Sequence, residues 1–419
     1  MNNQPVLYDS LKTILYHMDA NLRINMSQRI PSIRATERAV PLKMKCLSFS
    51  DTTVNINDVR YELNVYRDYP NGDFLRGAGD FDRFGFEIPF GSSPILPGDV
   101  SVRNEDAEFV ETDTDEWEQY FQTLLIRSEI FLQLMSEMGS GVTPKWEDVW
   151  MPWMSDYVGI TEERLQEMAN HAREKLKPFH CRRHNLPRPF NCYIQFSVKK
   201  NGKAKPPQKL AYTRKLYEAV KQFNQILFAN RPVIQVNQLV CHGNQVYRIP
   251  VGLKISANEL KVRQSQIPSI ATILDHVSTL RVFAWGNVEN WWQHRLVQNV
   301  NELIIDNPPL AEQFALMIRT LGNKIIRFHD LRTLSTEQYC ELIENWMSVK
   351  RETGAELWIG IDIKKRRKNV PKMMQTRMEV VRKDERCVRI RGENGTQIEL
   401  CGKKSMDRRW AVKAKIIEN

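Results

Sequence analysis

The alternation of apolar and polar positions divides the chain into stretches of different period. Leu7, Leu11, Ile14, Leu15 and Met18 recur at helical spacing and form one apolar stripe, and Asp19 stands where it can cap a second helix carrying Leu22, Met26 and Ile30. Pro31 ends that helix, Ser32 can cap a further turn through Arg38, and Pro41 turns the chain extended. From Leu42 to Tyr69 the period falls to two, with Asn57-Asp58 as a turn, which predicts a small antiparallel set of strands. Residues 70–115 lose periodicity, are rich in Gly, Pro and Asp and end in an acidic run; they read as a long, partly disordered surface insertion. Helical patterns return over Glu116–Met138 and Thr161–Leu176. A strand, NCYIQFSVKK, follows, then an amphipathic helix with Leu216, Val220, Phe223, Ile226 and Leu227.

The second half carries a repeat. VNQLVC, ANELKV, VSTLRV and VNELII align on Leu239, Leu260, Leu280 and Leu303, and NKIIRF adds Ile326, at intervals of 21, 20, 23 and 23 residues. Each copy has an apolar residue two positions on (Cys241, Val262, Val282, Ile305, Phe328), as a strand buried on one face requires, and four of the five have a small apolar residue three positions before. Helix-like connectors such as PPLAEQFALMIRTL lie between. A strand-and-connector unit of this size cannot bury its own apolar face and must stack on its neighbours, so the pattern predicts a leucine-rich-repeat-like curved sheet; Asn307 in LIIDN stands where such repeats place a loop-bonding side chain. The competing reading is ordinary strands of an α/β domain.

Composition changes this picture little: hydrophobic residues make up 42% and charged residues 26%, a globular profile. A chain of 419 residues is expected to build two or three packed units. No apolar run is long enough to span a bilayer and no signal-like segment opens the chain, which predicts an intracellular protein, cytoplasmic or nuclear, without a membrane partner. Seven scattered cysteines argue for reduced thiols rather than a disulfide framework. The net charge of +10 is local: from Asp362 onward there are 18 Lys and Arg against 8 Asp and Glu, so the surplus sits in the tail.

Candidate chemistry is sparse. His180, Cys181, His184 and Cys192 are of zinc-ligand type but lack regular ligand spacing, and the acidic run from Glu111 to Glu116 reads as a solvated loop, so neither metal nor cofactor is expected. Phosphate-binding Gly loops, zinc-protease helices and nucleophile elbows are missing, which points away from an enzyme. Lys364, Lys365, Arg366, Arg367 and Lys368 form a basic patch that reads either as a nuclear-import or phosphate-binding element or as a solvated loop; without interleaved aromatics, nucleic acid is an unfavoured partner.

PVLYDSLKTILYHMDANLRINMSQRIPSIRATERAVPL, YELNVYRDYPNG, LPRPFNCYIQFSV and YTRKLYEAVKQFNQILFANR together resemble a nematode-expanded family of uncharacterised proteins that carry a domain of unknown function and are related in layout to F-box proteins. LSTEQYCELIENWMSVKRETGAELWIGID with VVRKDERCVRI resembles the F-box-associated domain. The resemblance implies a helical N-terminal unit that binds the adaptor subunit of a cullin-based ubiquitin ligase through Leu7, Leu11, Ile14, Leu15, Met18, Leu22 and Met26, with an unknown protein substrate held downstream. Alternatively the same helices cap the first strands. The expected architecture is α+β: a helical F-box-like unit (1–41), strands (42–69), the insertion (70–115), a strand-and-helix middle (116–230), the repeat domain (231–361) and a basic C-terminal hairpin (362–419). The expected function is a non-enzymatic interaction module recruiting substrates for ubiquitylation; the alternatives are a nuclear or nucleic-acid-binding module acting through the tail, and a scaffold without a ligase link.

Overall fold

A computed structural model describes the chain outside residues 1–7, 69–73, 78, 89, 104–112, 140–152, 154–156, 158, 244, 285–287, 308–310, 330, 332–333, 362–363, 385–386, 393–395, 405–409 and 419; for 74–77, 90, 138–139, 311–313, 364–368 and 404 it describes backbone only. The protein is α+β, built on a large mixed sheet. Its main strands are β1 (Lys43–Phe49), β2 (Thr53–Ile56), β3 (Val59–Asp68), β4 (Asn191–Lys200), β5 (Gln208–Ala211), β6 (Ile234–Cys241), β7 (Ile255–Arg263), β8 (Leu274–Phe283), β9 (Glu302–Asp306), β10 (Ile325–His329), β11 (Glu356–Ile361), β12 (Val380–Lys383), β13 (Cys387–Arg391), β14 (Gln397–Lys404) and β15 (Trp410–Ile417). Among the described residues the α-helices are α1 (Tyr8–His17), α2 (Ala20–Arg29), α3 (Arg34–Ala39), α4 (Asp115–Gly139), α5 (Glu162–Arg183), α6 (Leu216–Phe228), α7 (Ile267–Ala271), α8 (Arg295–Asn299), α9 (Ala311–Thr320), α10 (Thr336–Met347) and α11 (Lys364–Arg377).

The residues aligned by the repeat are register partners. Leu239 pairs with Leu260, Leu260 with Leu280, Leu280 with Leu303 and Leu303 with Ile326, all in parallel, and the row extends to Leu47 on one side and Leu357 on the other. All seven side chains are fully buried. They meet Leu227 and Phe228 of α6, Ile267 and Ile270 of α7, Val297 of α8, Met317 of α9 and Ile343 and Trp346 of α10, so the connectors form a layer on one face of the sheet. A strand slipped by one residue would turn this row to solvent, and burial therefore fixes the register. In the fifth copy the small apolar position is Asn323, which is buried and donates from Nδ2 to the carbonyls of Val297 (2.7 Å) and Val300 (2.8 Å). Leu280→Ala is expected to cost ~2–5 kcal/mol in urea unfolding, against less than ~0.5 kcal/mol for the neighbouring Thr279→Ala on the opposite face.

Beyond the parallel strands the sheet is antiparallel on both sides. β1 leads through β2 and β3 to β4 and β5, and β11 leads through β15, β14 and β13 to β12. The strands of 42–69 are thus not a separate set: β1 lies parallel to β6 in the same sheet as the repeat. The turn at Asn57-Asp58 is present, with Asn57 at φ 54°, and the Asn57 side chain accepts from the Lys45 (2.8 Å) and Cys46 (3.2 Å) amides of β1.

The described parts of 70–115 differ from a disordered insertion. Phe81, Phe86, Val100 and Val102 are buried, and Asp99 is buried against Lys221 of α6 (2.7 Å) and Arg248 (2.5 Å). Lys221 also donates to the carbonyls of Pro97 and Ile249, and Arg248 to that of Pro94 and to Ser93 Oγ. The acidic stretch 104–112 lies outside the described residues. In the C-terminal part the hairpin belongs to a four-stranded antiparallel extension of the sheet, and Lys364–Lys368 open a helix instead of forming a loop. Val370 and Met374 of that helix, α11, are buried in the main core, which is why the helix forms despite its basic composition and Pro371.

Candidate functional site

With the connectors on one face, the other face of the parallel strands is left to the polar residues that alternate with the buried row. Three rows cross the strands in register. The first runs Gln238, Glu259, Thr279, Glu302, Ile325, Glu356, Lys415; the second Val240, Lys261, Arg281, Ile304, Arg327, Trp358, Lys413; the third Arg263, Phe283, Asp306, His329. Each row spans at most seven strands, or about 30 Å at the usual inter-strand spacing. Most of these side chains are half-buried or exposed.

The second row holds cations and the Trp, and the acids lie in the rows beside it, so long side chains pair diagonally between neighbouring strands. Arg281 grips Asp306 through both Nε (2.6 Å) and Nη2 (3.1 Å), and His329 Nδ1 lies 3.2 Å from the same carboxylate. Arg327 pairs with Glu302 and lies 4.5 Å over the Trp358 ring. Lys413 pairs with Glu356 (2.6 Å) and sits 4.9 Å from the same ring, while Trp358 Nε1 donates to Glu356 (2.9 Å). Gln238 donates to Glu259 (2.7 Å). The result is an ordered lattice in which every acid named is held by at least one donor.

Burial pushes the Asp306 carboxyl up, but hydrogen bonds from His329 and Arg281 and their charge outweigh it and hold the group below its usual value of 3.8. Glu356 behaves alike: burial raises it, and Lys413, Trp358 and Lys415 bring it below 4.5. Groups with depressed folded values stabilise the protein above the unfolded pKa, and that contribution is lost as pH falls through the lower folded value. Thermal melts should therefore show stability constant in these terms above about pH 5 and falling below about pH 4. In Asp306→Asn the part of that acid sensitivity due to residue 306 should disappear.

At the N-terminal ends of the strands the face runs into a crevice of about 720 Å³, between the end of α1 and the first strands, lined among others by His17, Asp19, Lys43, Lys45, Gln235 and Asn258. Apolar Met18, Ala20, Met44 and Val236 share its lining with these polar groups.

The predicted adaptor face is divided. Leu15 is fully buried and Leu11, Met18 and Met26 are half-buried, whereas Ile14 and Leu22 are half-exposed at 50% and 52%; Leu7 lies outside the described residues. The helices are also fastened to the body. Arg23 and Arg231 both grip Glu37 (2.9 and 2.7 Å), all three nearly inaccessible, and Ala20 and Ile24 enter the main core. Asp19 caps α2 by accepting from the Asn21 (3.0 Å) and Leu22 (3.2 Å) amides. Ser32 sits within a short 3-10 turn, Pro31–Ile33, and the helix after it has no side-chain cap. The basic patch Lys364–Lys368 begins α11 on the connector layer, so it is not part of the open face, and its side chains lie outside the description.

The zinc-type residues do not form a ligand set: α5 runs on through Pro178, placing His180 and Cys181 in a helix, with Cys181 buried. Among the described residues one His/Cys/Asp/Glu group has ligand atoms within reach of one another, Cys387, Glu399 and Cys401. The two cysteines are joined as a disulfide, which corrects the expectation of uniformly reduced thiols; the other five are free. Among the described residues no helix is long and apolar enough to cross a membrane.

The sequence reading missed the open face. Its signal was the residue before and after each aligned leucine, charged or amide-bearing in most copies. No curated protein and no solved structure matches the chain. Residues 215–363, which run from the start of α6 to just past β11 and so contain six of the seven parallel strands, match the model of a domain of unknown function (DUF3557).

Proposed function

We propose that the protein is a non-enzymatic interaction module that takes a partner protein across the open face of its parallel strands, as leucine-rich-repeat-like sheets do. The observation that carries this reading is the second row, with four cations and Trp358 and no acid. Counting all three rows, Lys261, Arg263, Arg281, Arg327, Lys413 and Lys415 stand against Glu259, Glu302, Asp306 and Glu356, six cations to four acids, so the favoured partner presents an acidic segment. Pre-ordered Arg and aromatic side chains, held by their own ion pairs, are the residue types that dominate binding energy at protein interfaces and lose little entropy on association.

Within this reading the partner is a substrate, and the N-terminal helices offer the link to a cullin-based ubiquitin ligase. What favours that second step is narrower than the full stripe: Tyr8, Ile14 and Leu22 are large apolar side chains more or less half-exposed on α1 and α2. A nucleic-acid module acting through Lys364–Lys368 and a scaffold without a ligase link are the alternatives.

Quantitative affinity capture with two variants separates these. Lys261→Glu with Lys415→Glu should lose substrate-type partners by about tenfold or more and keep any adaptor subunit. Ile14→Asp with Leu22→Asp should do the reverse. Identical partner sets for all three proteins would overturn the interface assignment, and nuclease-sensitive capture abolished by neutralising 364–368 would favour nucleic acid.

A further inference from the structure

Independently of that reading, the C-terminal strands hold a chemical site. Cys387 and Cys401 are direct register partners on the antiparallel strands β13 and β14, with Cα atoms 4.4 Å apart. That separation belongs to a pair not joined by backbone hydrogen bonds, where facing side chains stand closest. The backbone thus brings the two sulfurs together by sheet register. The two residues differ in access: Cys387 is half-buried, whereas Cys401 is 2% exposed. Around them stand Glu399, whose carboxylate lies within ligand reach of both sulfurs, Arg389, which pairs with Glu399 at 3.8 Å, and Lys413, the register partner of Cys401 on its other side. The other five thiols have no cysteine partner, and burial pushes each of them up, Cys340 to about 11 and Cys241 to about 12, which keeps them protonated and poorly nucleophilic.

We propose that Cys387 and Cys401 form a reversible thiol–disulfide site that exchanges with low-molecular-weight disulfides of the glutathione class, Cys387 being the attacking thiol and Cys401 the resolving one. In the oxidising direction the Cys387 thiolate attacks one sulfur of oxidised glutathione, forming a mixed disulfide and releasing one glutathione thiolate. The Cys401 thiolate then attacks Cys387 Sγ, closing the intramolecular bond and releasing the second. The two protons lost by the cysteines go to the two leaving thiolates, so one glutathione disulfide becomes two thiols as two protein thiols become one disulfide. Cys401 stands one strand beyond Lys413, at the end of the second row, so the bond lies on the flank of the open face.

The test is to equilibrate the full chain in graded ratios of reduced to oxidised glutathione, quench with acid, denature, label thiols with a maleimide and count labels by intact mass. The expected result is a single two-electron transition from seven labels to five. Cys401→Ser, or Cys401→Ala should serine not fold, should accumulate a glutathione adduct at Cys387, and Cys387→Ser should accumulate little. Seven labels at every ratio, five labels persisting in excess reduced glutathione, or a stoichiometric zinc ion on the reduced protein would each overturn the proposal, and an adduct favouring Cys401 in Cys387→Ser would overturn the assigned roles.

Discussion

Replacing Asp99 by asparagine is expected to lower the unfolding free energy by ~3–5 kcal/mol, because it leaves two buried cations, Lys221 and Arg248, without their shared counter-charge. None of the three side chains is more than 6% exposed. The carbonyls of Pro94, Pro97 and Ile249 that these cations also reach satisfy hydrogen bonds but supply no charge. A whole domain has only ~5–15 kcal/mol of stability, so the variant should be largely unfolded well below the wild-type urea midpoint. Limited proteolysis should then cut residues 79–103 first, since Asp99 fastens that segment to α6. A matched control is Asp113→Asn, whose carboxylate is half-exposed and 3.8 Å from Arg182; its effect should stay under ~1 kcal/mol. Equal urea midpoints for Asp99→Asn and wild type would show that the segment is held by other contacts.

Glu37→Ala is the second large effect, also ~3–5 kcal/mol, and it decides how separable the N-terminal helices are. Glu37 receives Arg23 from α2 and both terminal nitrogens of Arg231, at 2.7 and 2.8 Å, from beyond α6. Removing it strands two guanidiniums in the interface between α1–α3 and the sheet. If that interface is integral, the variant should lose stability in one cooperative transition together with the body. If the helices form an independent module, the body should melt as in wild type, and only a separate low-temperature transition should appear. The shared core through Ala20 and Ile24 predicts the first outcome.

The sequence was most legible where one physical constraint repeats. Each parallel strand must bury the same position, so Leu239, Leu260, Leu280, Leu303 and Ile326 carried the register in their spacing. Leu47 belongs to the same row but stands far earlier in the chain, and no local pattern marks a pairing closed through long-range topology. Composition misled at 79–103, where a few apolar residues and two buried aspartates tie the segment to distant elements, Asp99 to Lys221 and Arg248 and Asp80 to the Tyr212 hydroxyl and the Leu216 amide. Periodicity on α1 and α2 revealed an apolar stripe but not what covers it; Leu15 turned inward and Ile14 outward. At Lys364–Lys368 the charge run drew attention away from Val370 and Met374 at helical spacing just behind it. The cysteine pair could have been found from the hairpin: pairing Arg391 with Gln397 places Cys387 opposite Cys401.

Whether the open sheet face binds a protein partner is decided by site-specific photocrosslinking in cells. The crosslinking residue is placed at Phe283 or Lys261 on the sheet face, and at the exposed Leu316 on the connector layer as the opposing position. Discrete protein adducts are expected from 283 and 261, mapping to acid-rich segments of the partner, and none of these from 316. Adducts confined to position 316, or crosslinks from the sheet face to nucleic acid alone, would contradict protein binding at that face.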